Sequence, residues 1–250
     1  KSRFYPALPV GHPFTNVQNH FYWSSSIGKD VLDYVWIVDL ASGEMTMDYV
    51  SYCSYKFLWP VRSSWMPTTA KASSVMTGGL NEFGQLGDGS TTDREAFLPV
   101  SGLENVVKVS AGLEHAAALK SDGSVWTWGR NNRGQLGNGT IEDSRVPVAV
   151  KDLWKINDVA AGMFHTLALA SDGTVWAWGW GSSSTPGQVA GLTGVTAIAG
   201  GDDHSLALKN DGTVWAWGYN HEGELGDGTT TTRLAPVQVT GLADVISVAA

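Results

Sequence analysis

The chain has only one cysteine, Cys53, among its 250 residues. A lone cysteine excludes an internal disulfide framework and a cysteine-rich zinc site. Positive charge is also scarce, since 16 lysines and arginines stand against 24 acidic residues, for a formal net charge of −8. Binding to a phosphate backbone needs a basic surface, so we expect no nucleic-acid partner. The chain also lacks the run of about 18 apolar residues that a membrane helix needs, so we expect no membrane span.

The sequence also lacks the short motifs of common catalytic and cofactor sites. It contains no Gly-x-Ser-x-Gly word, and its Gly-x-Gly words are not followed by the lysine of a phosphate loop. The segment His221-Glu-Gly-Glu224 lacks the second histidine of a zinc-protease helix. The Asp-Gly and Asn-Gly turns of the chain lack the alternating acidic side chains whose oxygens bind calcium in a calcium loop. We therefore expect no catalytic residue, no metal and no cofactor.

One nine-residue stretch is repeated along the chain. Ser121-Asp-Gly-Ser-Val-Trp-Thr-Trp-Gly129 recurs at 171–179 and 210–218, with a degenerate copy at 74–79. Asp-Gly between two apolar runs predicts a tight β-hairpin, because glycine accepts a positive φ. The copies align on four valines that are 50, 50 and 39 residues apart: Val75, Val125, Val175 and Val214. A fixed period of this size predicts a propeller or a solenoid.

Each unit has the parts of a four-stranded antiparallel propeller blade. An apolar strand leads through a pivot of small residues to a second strand, the hairpin and the Val-Trp-x-Trp-Gly strand. A glycine-rich loop and an edge strand containing Pro-Val follow. A further first strand is predicted at 245–249. The third unit is shortened between Trp180 and Pro186, and we expect this deletion to spare the strands and to shorten only a rim loop.

From residue 74 to residue 250 these repeats resemble the regulator of chromosome condensation repeat, a family of seven-bladed propellers. The resemblance implies an all-β fold, here an incomplete propeller of about 3.5 four-stranded blades. The short third unit is similar to the repeats of a secreted bacterial propeller that inhibits β-lactamases. Because seven units need about 350 residues, we expect the chain to be a fragment whose open blade edges let it self-associate.

The first 62 residues have a different, tyrosine-rich composition. The alternation from Tyr34 to Asp39 predicts a strand, and Gly43 predicts a hairpin with the run from Met45 to Tyr49. The words at 11–18, 22–25 and 59–62 resemble the C-terminal domain of bacterial collagen-like adhesins, which has a C-type-lectin-like fold. This resemblance implies an extracellular or surface setting and carbohydrate binding. We predict a partial lectin-like domain at 1–62, a linker at 63–73 and propeller repeats at 74–250.

Sulphated polysaccharide, which those adhesins bind, requires clustered cations. Residues 1–65 hold five basic and five acidic residues, so their charge does not favour such a ligand.

The recurring tryptophans and histidines are predicted to be structural. Six tryptophans of the third strands are expected to form core, because aromatic rings bury large apolar areas: Trp126, Trp128, Trp176, Trp178, Trp215 and Trp217. Three histidines recur once per unit and are expected to bond a carbonyl of the neighbouring blade rather than to share a metal ion: His115, His165 and His204.

The residues that the repeat constrains least are the candidates for partner contact: Arg130, Asn131, Asn132, Arg133, Trp180, Tyr219, Asn220, His221 and Glu222. The function favoured by the sequence is that of a non-catalytic bacterial surface or secreted protein whose rim loops bind a macromolecule. We expect a protein partner, with a glycan as an alternative through the N-terminal part. Two other hypotheses are an exchange factor for a small GTPase and a polysaccharide-active enzyme built on the propeller. No unit is lengthened to hold the β-hairpin insertion with which exchange factors of this family engage their GTPase.

Overall fold

The computed structural model describes residues 34–39, 44–49, 61–62 and 75–250, with side chains from residue 75 onward. The described chain is all β. Two N-terminal strands, β1 (Tyr34–Asp39) and β2 (Glu44–Tyr49), pair antiparallel over their whole length, which confirms the predicted hairpin strands. The lectin-like segments at 11–18, 22–25 and 59–60 and the predicted linker at 63–73 lie outside the described residues.

The other strands form four consecutive antiparallel sheets, named blades 1 to 4. Blade 1 contains β3 (Val61–Arg62), β4 (Val75–Gly79) and β5 (Arg94–Pro99). Blade 2 contains β6 (Val106–Ala111), β7 (His115–Lys120), β8 (Val125–Gly129) and β9 (Ser144–Ala149). Blade 3 contains β10 (Ile156–Ala161), β11 (His165–Ala170), β12 (Val175–Gly179) and β13 (Gly187–Gln188). Blade 4 contains β14 (Val195–Gly200), β15 (His204–Lys209), β16 (Val214–Gly218) and β17 (Arg233–Gln238).

The strand order within blades 2 to 4 follows the chain, so each blade is a simple meander. The Asp-Gly turns join the second and third strands as predicted, and Gly123 has a φ of +80°. Asp122 closes its turn by accepting hydrogen bonds from the backbone N–H and the hydroxyl of Ser124, at 3.0 and 2.6 Å. The propeller-blade prediction is therefore confirmed for the described repeats.

Two strand predictions were wrong. The deletion in the third unit does not spare the strands, because the outer strand β13 retains only two residues and pairs with β12 only at Trp176 and Ala177. Residues 245–249 form no strand. In blades 2 to 4 the first strand is held by hydrogen bonds to the second strand of its own blade, and no strand of the described residues pairs with 245–249.

Val61 and Arg62 join the first propeller sheet by pairing with Met76 and Val75. In sequence these two residues end the predicted lectin-like part. The first blade therefore contains a strand that lies N-terminal to the predicted linker.

The core lies between neighbouring blades. Trp128 and Trp178 are fully buried, and Trp217 is 9% exposed. Each packs with residues of its own blade and of the blade before it. The other tryptophan of each pair is half-buried at the edge of the same cluster: Trp126, Trp176 and Trp215. Burial of aromatic and aliphatic side chains between sheets is the main favourable term that holds such blades together.

Candidate functional site

The recurring histidines join neighbouring blades through hydroxyl groups. His115 Nε2 lies 2.9 Å from Thr166 Oγ1 of blade 3, and that hydroxyl donates to Gln135 O at 2.9 Å. His165 Nε2 lies 3.0 Å from Ser205 Oγ of blade 4. The sequence predicted a carbonyl of the neighbouring blade as the partner of these rings, whereas Nε2 of His115 and of His165 bonds a hydroxyl of the next blade. Since the Thr166 hydroxyl gives its proton to Gln135 O, it accepts one from His115 Nε2.

Burial keeps these histidines neutral. Loss of solvation lowers the pKa of His115 to about 3 and that of His165 to about 4, and each is lowered further by the histidine of the next blade. Burial also lowers the pKa of His204, although Glu224, Asp202 and Asp203 oppose this shift. Within the described residues, no three His, Cys, Asp or Glu side chains gather closely enough to hold a metal ion.

Two of the predicted contact residues, Asn131 and Asn220, are fully buried. Asn131 Nδ2 donates to the carbonyls of Thr140 and Glu142 at 3.1 and 2.9 Å, and its Oδ1 accepts from Leu136 N at 2.9 Å. These side chains hold the glycine loop closed and cannot touch a partner, so the prediction was wrong for them. Asn81, Asn131 and Asn220 occupy the same place in three units. This recurrence was the sequence signal for a structural role.

Replacing Asn131 with alanine is expected to lower the free energy of unfolding by about 2 kcal/mol, because it leaves the buried backbone groups of the loop without partners. The exposed neighbour Asn132 provides the matched control, and Asn132→Ala should change stability by less than about 0.5 kcal/mol. Urea unfolding followed by tryptophan fluorescence measures both. Equal midpoints for the two variants would contradict the structural role.

Three equivalent positions place side chains on one face of the propeller. Arg130, Trp180 and Tyr219 each follow a Val-Trp-x-Trp-Gly strand. Each donates its backbone N–H to the residue before the recurring histidine, at 2.8 to 2.9 Å. The shared bond fixes them at the same end of their blades, opposite the Asp-Gly hairpins. We call that opposite end the hairpin face.

Cations and aromatic rings stack between blades on this face. The guanidinium carbon of Arg130 lies 4.3 Å from the ring centre of Phe83 in blade 1, and that of Arg133 lies 4.3 Å from the ring centre of Trp180 in blade 3. In the first pair the glycine loop of blade 1 supplies the ring, Phe83. In the second pair the glycine loop of blade 2 supplies the cation, Arg133. Contacts of this kind are attractive because the face of an aromatic ring is electron-rich.

Further aromatic contacts extend the row. Phe164 lies 6.5 Å from Trp180, and Tyr219 lies 4.4 Å from His221, measured between ring centres. Trp180 is 47% exposed and Tyr219 is 41% exposed. We call this row the arginine–aromatic strip: Phe83, Arg130, Arg133, Phe164, Trp180, Tyr219 and His221.

The other predicted contact residues, Asn132 and Glu222, are exposed beside the strip. Arg130 also forms an ion pair with Glu114. The sequence did not identify Phe83 and Phe164, since only the contact between units makes them part of the surface. No helix of the described residues is long and apolar enough to cross a bilayer.

A family model, the Regulator of chromosome condensation (RCC1) repeat, matches residues 74–119, 122–169 and 211–250. A second RCC1 repeat model matches 106–135, 156–184 and 195–224. These matches begin at residue 74 and give the adhesin resemblance of the N-terminal part no support. No curated protein matches the chain.

Solved structures show the same fold. Human WBSCR16 is 23% identical, with a TM-score of 0.66, over 82% of this chain and 58% of that one. Prp20p from Saccharomyces cerevisiae is 22% identical, with a TM-score of 0.56, over 68% and 47%. Yeast RCC1 (Prp20) bound to Kap60 is 18% identical, with a TM-score of 0.56, over 83% and 57%. This chain thus spans about half the length of these structures. With its repeats matched from residue 74 onward, the chain belongs to the regulator of chromosome condensation (RCC1) repeat family.

Proposed function

We propose that the protein is a non-catalytic binding protein whose arginine–aromatic strip engages another protein. The observation that carries this proposal is the pair of cation–ring stacks at 4.3 Å on one face, with Trp180 and Arg133 open to solvent. Arginine, tryptophan and tyrosine supply most of the binding energy at protein interfaces. A nucleic acid has less support, because the chain is acidic.

The strip is held in place before a partner arrives. Arg130 is fixed by the Phe83 ring on one side and by Glu114 on the other. Trp180 is fixed by a backbone bond to Phe164 O and by the stacked guanidinium of Arg133. Side chains that are already ordered lose less entropy on association, so they favour tight binding.

Trp180→Ala and Arg133→Ala are each expected to weaken partner binding by at least about 30-fold, the loss that follows removal of an interface hot spot. A photo-crosslinking residue at the exposed position 132, beside the strip, first identifies the partner. Titration of the purified partner by calorimetry then compares the variants with the unaltered chain.

Trp154 gives the matched control. It is 69% exposed, and it sits beside the Gly123 hairpin on the hairpin face, where Ile156 N–H donates to Gly123 O at 3.4 Å. Trp154→Ala should leave affinity unchanged. If it weakens binding as much as Trp180→Ala, the partner does not use the strip.

An exchange factor for a small GTPase is the second candidate. Support comes from the fold likeness to Prp20p, whose structure is described with its binding to Gsp1p and histones. The test is release of a fluorescent nucleotide from a panel of small GTPases by the full chain. Acceleration that disappears in Arg133→Ala would favour exchange activity over simple binding.

The bacterial origin and the surface or secreted setting implied by the N-terminal resemblance stay predictions, as do glycan binding and polysaccharide-active chemistry. A glycan array and a hydrolysis screen on the full chain separate the last two.

A further inference from the structure

In blades 1 and 2 the glycine loop fills the gap toward the following blade. Gly84 lies so close to blade 2 that a Cβ would be 2.6 Å from Arg145 Cα, and a Cβ on Gly134 would be 2.6 Å from Ser184 Cα of blade 3. The carbonyls of Gln85 and Gln135 in these loops accept the indole Nε1–H of the next blade's buried tryptophan at 2.9 Å. The loop is therefore an integral part of each junction.

Blade 3 has no such loop, because its repeat is 39 rather than 50 residues long. The corresponding tryptophan of blade 4, Trp217, forms no Nε1 hydrogen bond within the described residues. It is 9% exposed, whereas Trp128 and Trp178 are fully buried. Ser205 Oγ bonds to His165 as Thr166 Oγ1 bonds to His115, but within the described residues it meets no carbonyl like that of Gln135, so its hydroxyl is free to donate to the neutral His165 ring. The indole N–H of Trp217 thus lacks, within the described residues, the carbonyl acceptor that the indole of Trp178 finds one junction earlier.

Two further residues of blade 4 mark the same gap. Leu234 in the outer strand of blade 4 is equivalent to Arg145 in the outer strand of blade 2. The glycine loop of blade 1 covers Arg145, whereas Leu234 is 90% exposed. Tyr219 has no loop side chain from blade 3 to stack against and contacts its own His221 instead. We call this gap the interblade notch, lined by Ser205, Trp217, Tyr219 and Leu234.

We propose that the interblade notch receives an extended peptide segment of a partner protein. A backbone carbonyl of that segment accepts from Trp217 Nε1, while a leucine-like side chain covers the apolar wall. The model for this binding is the blade 2 loop itself, in which Gln135 O accepts from the indole and the hydroxyl, and Leu136 is fully buried. An indole donor without an acceptor beside an exposed leucine selects a peptide carbonyl over a cation.

The geometry also sets the sequence of the segment. A Cβ on Gly137 would lie 2.6 Å from Trp178 Nε1, so the position after the leucine must be glycine. The segment is therefore of the type Gly-Gln-Leu-Gly. The notch adjoins the arginine–aromatic strip and shares Tyr219 with it. Its remaining observations, the absent loop, the Trp217 indole and the exposed Leu234, lie outside the strip, so the inference stands whether or not the strip binds a protein.

The test uses a synthetic copy of residues 131–139, Asn-Asn-Arg-Gly-Gln-Leu-Gly-Asn-Gly, titrated into the full chain labelled with 15N. The indole Nε1–H resonance of Trp217, assigned by its loss in Trp217→Phe, is expected to shift and to saturate. Leu234→Asp should weaken peptide binding at least tenfold. Ile141→Asp, at an equally solvent-facing apolar residue that is 63% exposed, should have no effect. A peptide with aspartate in place of its leucine should not bind.

A second variant fills the notch with a loop of the chain itself. Grafting the blade 2 loop after Trp180 is expected to abolish peptide binding, and it requires no change to any lining residue. Failure of the peptide to saturate at millimolar concentration would overturn the inference, as would equal binding by the grafted chain. Self-association that Leu234→Asp removes would also overturn it, because a second copy of the chain would then occupy the notch.

Discussion

Alanine at Gly162 is expected to lower the free energy of unfolding by about 3 kcal/mol, the upper end of the usual cost of overpacking. A Cβ at this position would lie 2.1 Å from His165 Cε1 and 2.4 Å from Gly201 O of blade 4. Neither neighbour can move aside, since one is a backbone carbonyl and the other is a buried ring bonded to Ser205. Gly162 has no positive φ, so the cost is steric.

Gly187 supplies the control. It also lacks a positive φ, and a Cβ there would meet only Ala177 O at 3.8 Å. Gly187→Ala should leave the urea midpoint within about 0.5 kcal/mol of the unaltered chain. A Gly162→Ala variant as stable as Gly187→Ala would show that the blades are not packed backbone to backbone at the pivot.

Acidification from pH 7 to pH 5 is expected to destabilise the propeller by about 4 kcal/mol, about 2 from each of His115 and His165. Their pKa values are about 3 and about 4 in the folded chain, against an ordinary value of 6.5. Between these values the unfolded chain binds more protons, so this stability is fully present above pH 6.5, is lost progressively as pH falls below 6.5, and is gone once pH has passed the folded-state values. Urea unfolding at intervals from pH 7.5 to pH 4.5 measures the slope.

His115→Gln isolates one half of this effect, because glutamine cannot be protonated. The loss of stability between pH 7 and pH 5 should fall by about 2 kcal/mol in this variant. Carboxylates affect stability at lower pH than these histidines do. Hydrogen bonds from Thr229, together with Arg233, lower the pKa of Asp227 to about 2, so the contribution of Asp227 to folding stability is lost only below pH 4. An unchanged slope in His115→Gln would mean that this histidine is solvated in the folded protein.

The buried asparagines and the stacked arginines illustrate how local signals differ from tertiary ones. Asn131 looked like a free loop residue, although its recurrence at positions 81 and 220 indicated a structural role. Arg130 and Arg133 were identified as surface candidates, but their aromatic partners Phe83 and Trp180 lie in other units. The sequence of one repeat unit does not show which side chains of the neighbouring unit its own residues contact.

The sequence by itself determined the repeat, the Asp-Gly hairpins, the four-stranded blade and the edge position of the proline-containing strands. Each of these depends on interactions within a few residues or on apolar alternation along one strand. The tertiary structure alone decided the hydroxyl that bridges His115 to Gln135 O, the reduction of β13 to two residues, and the notch before blade 4. The hydroxyl bridge and the notch depend on hydrogen-bond partners 31 to 51 residues apart in the chain, which only the packing of one blade on the next brings together.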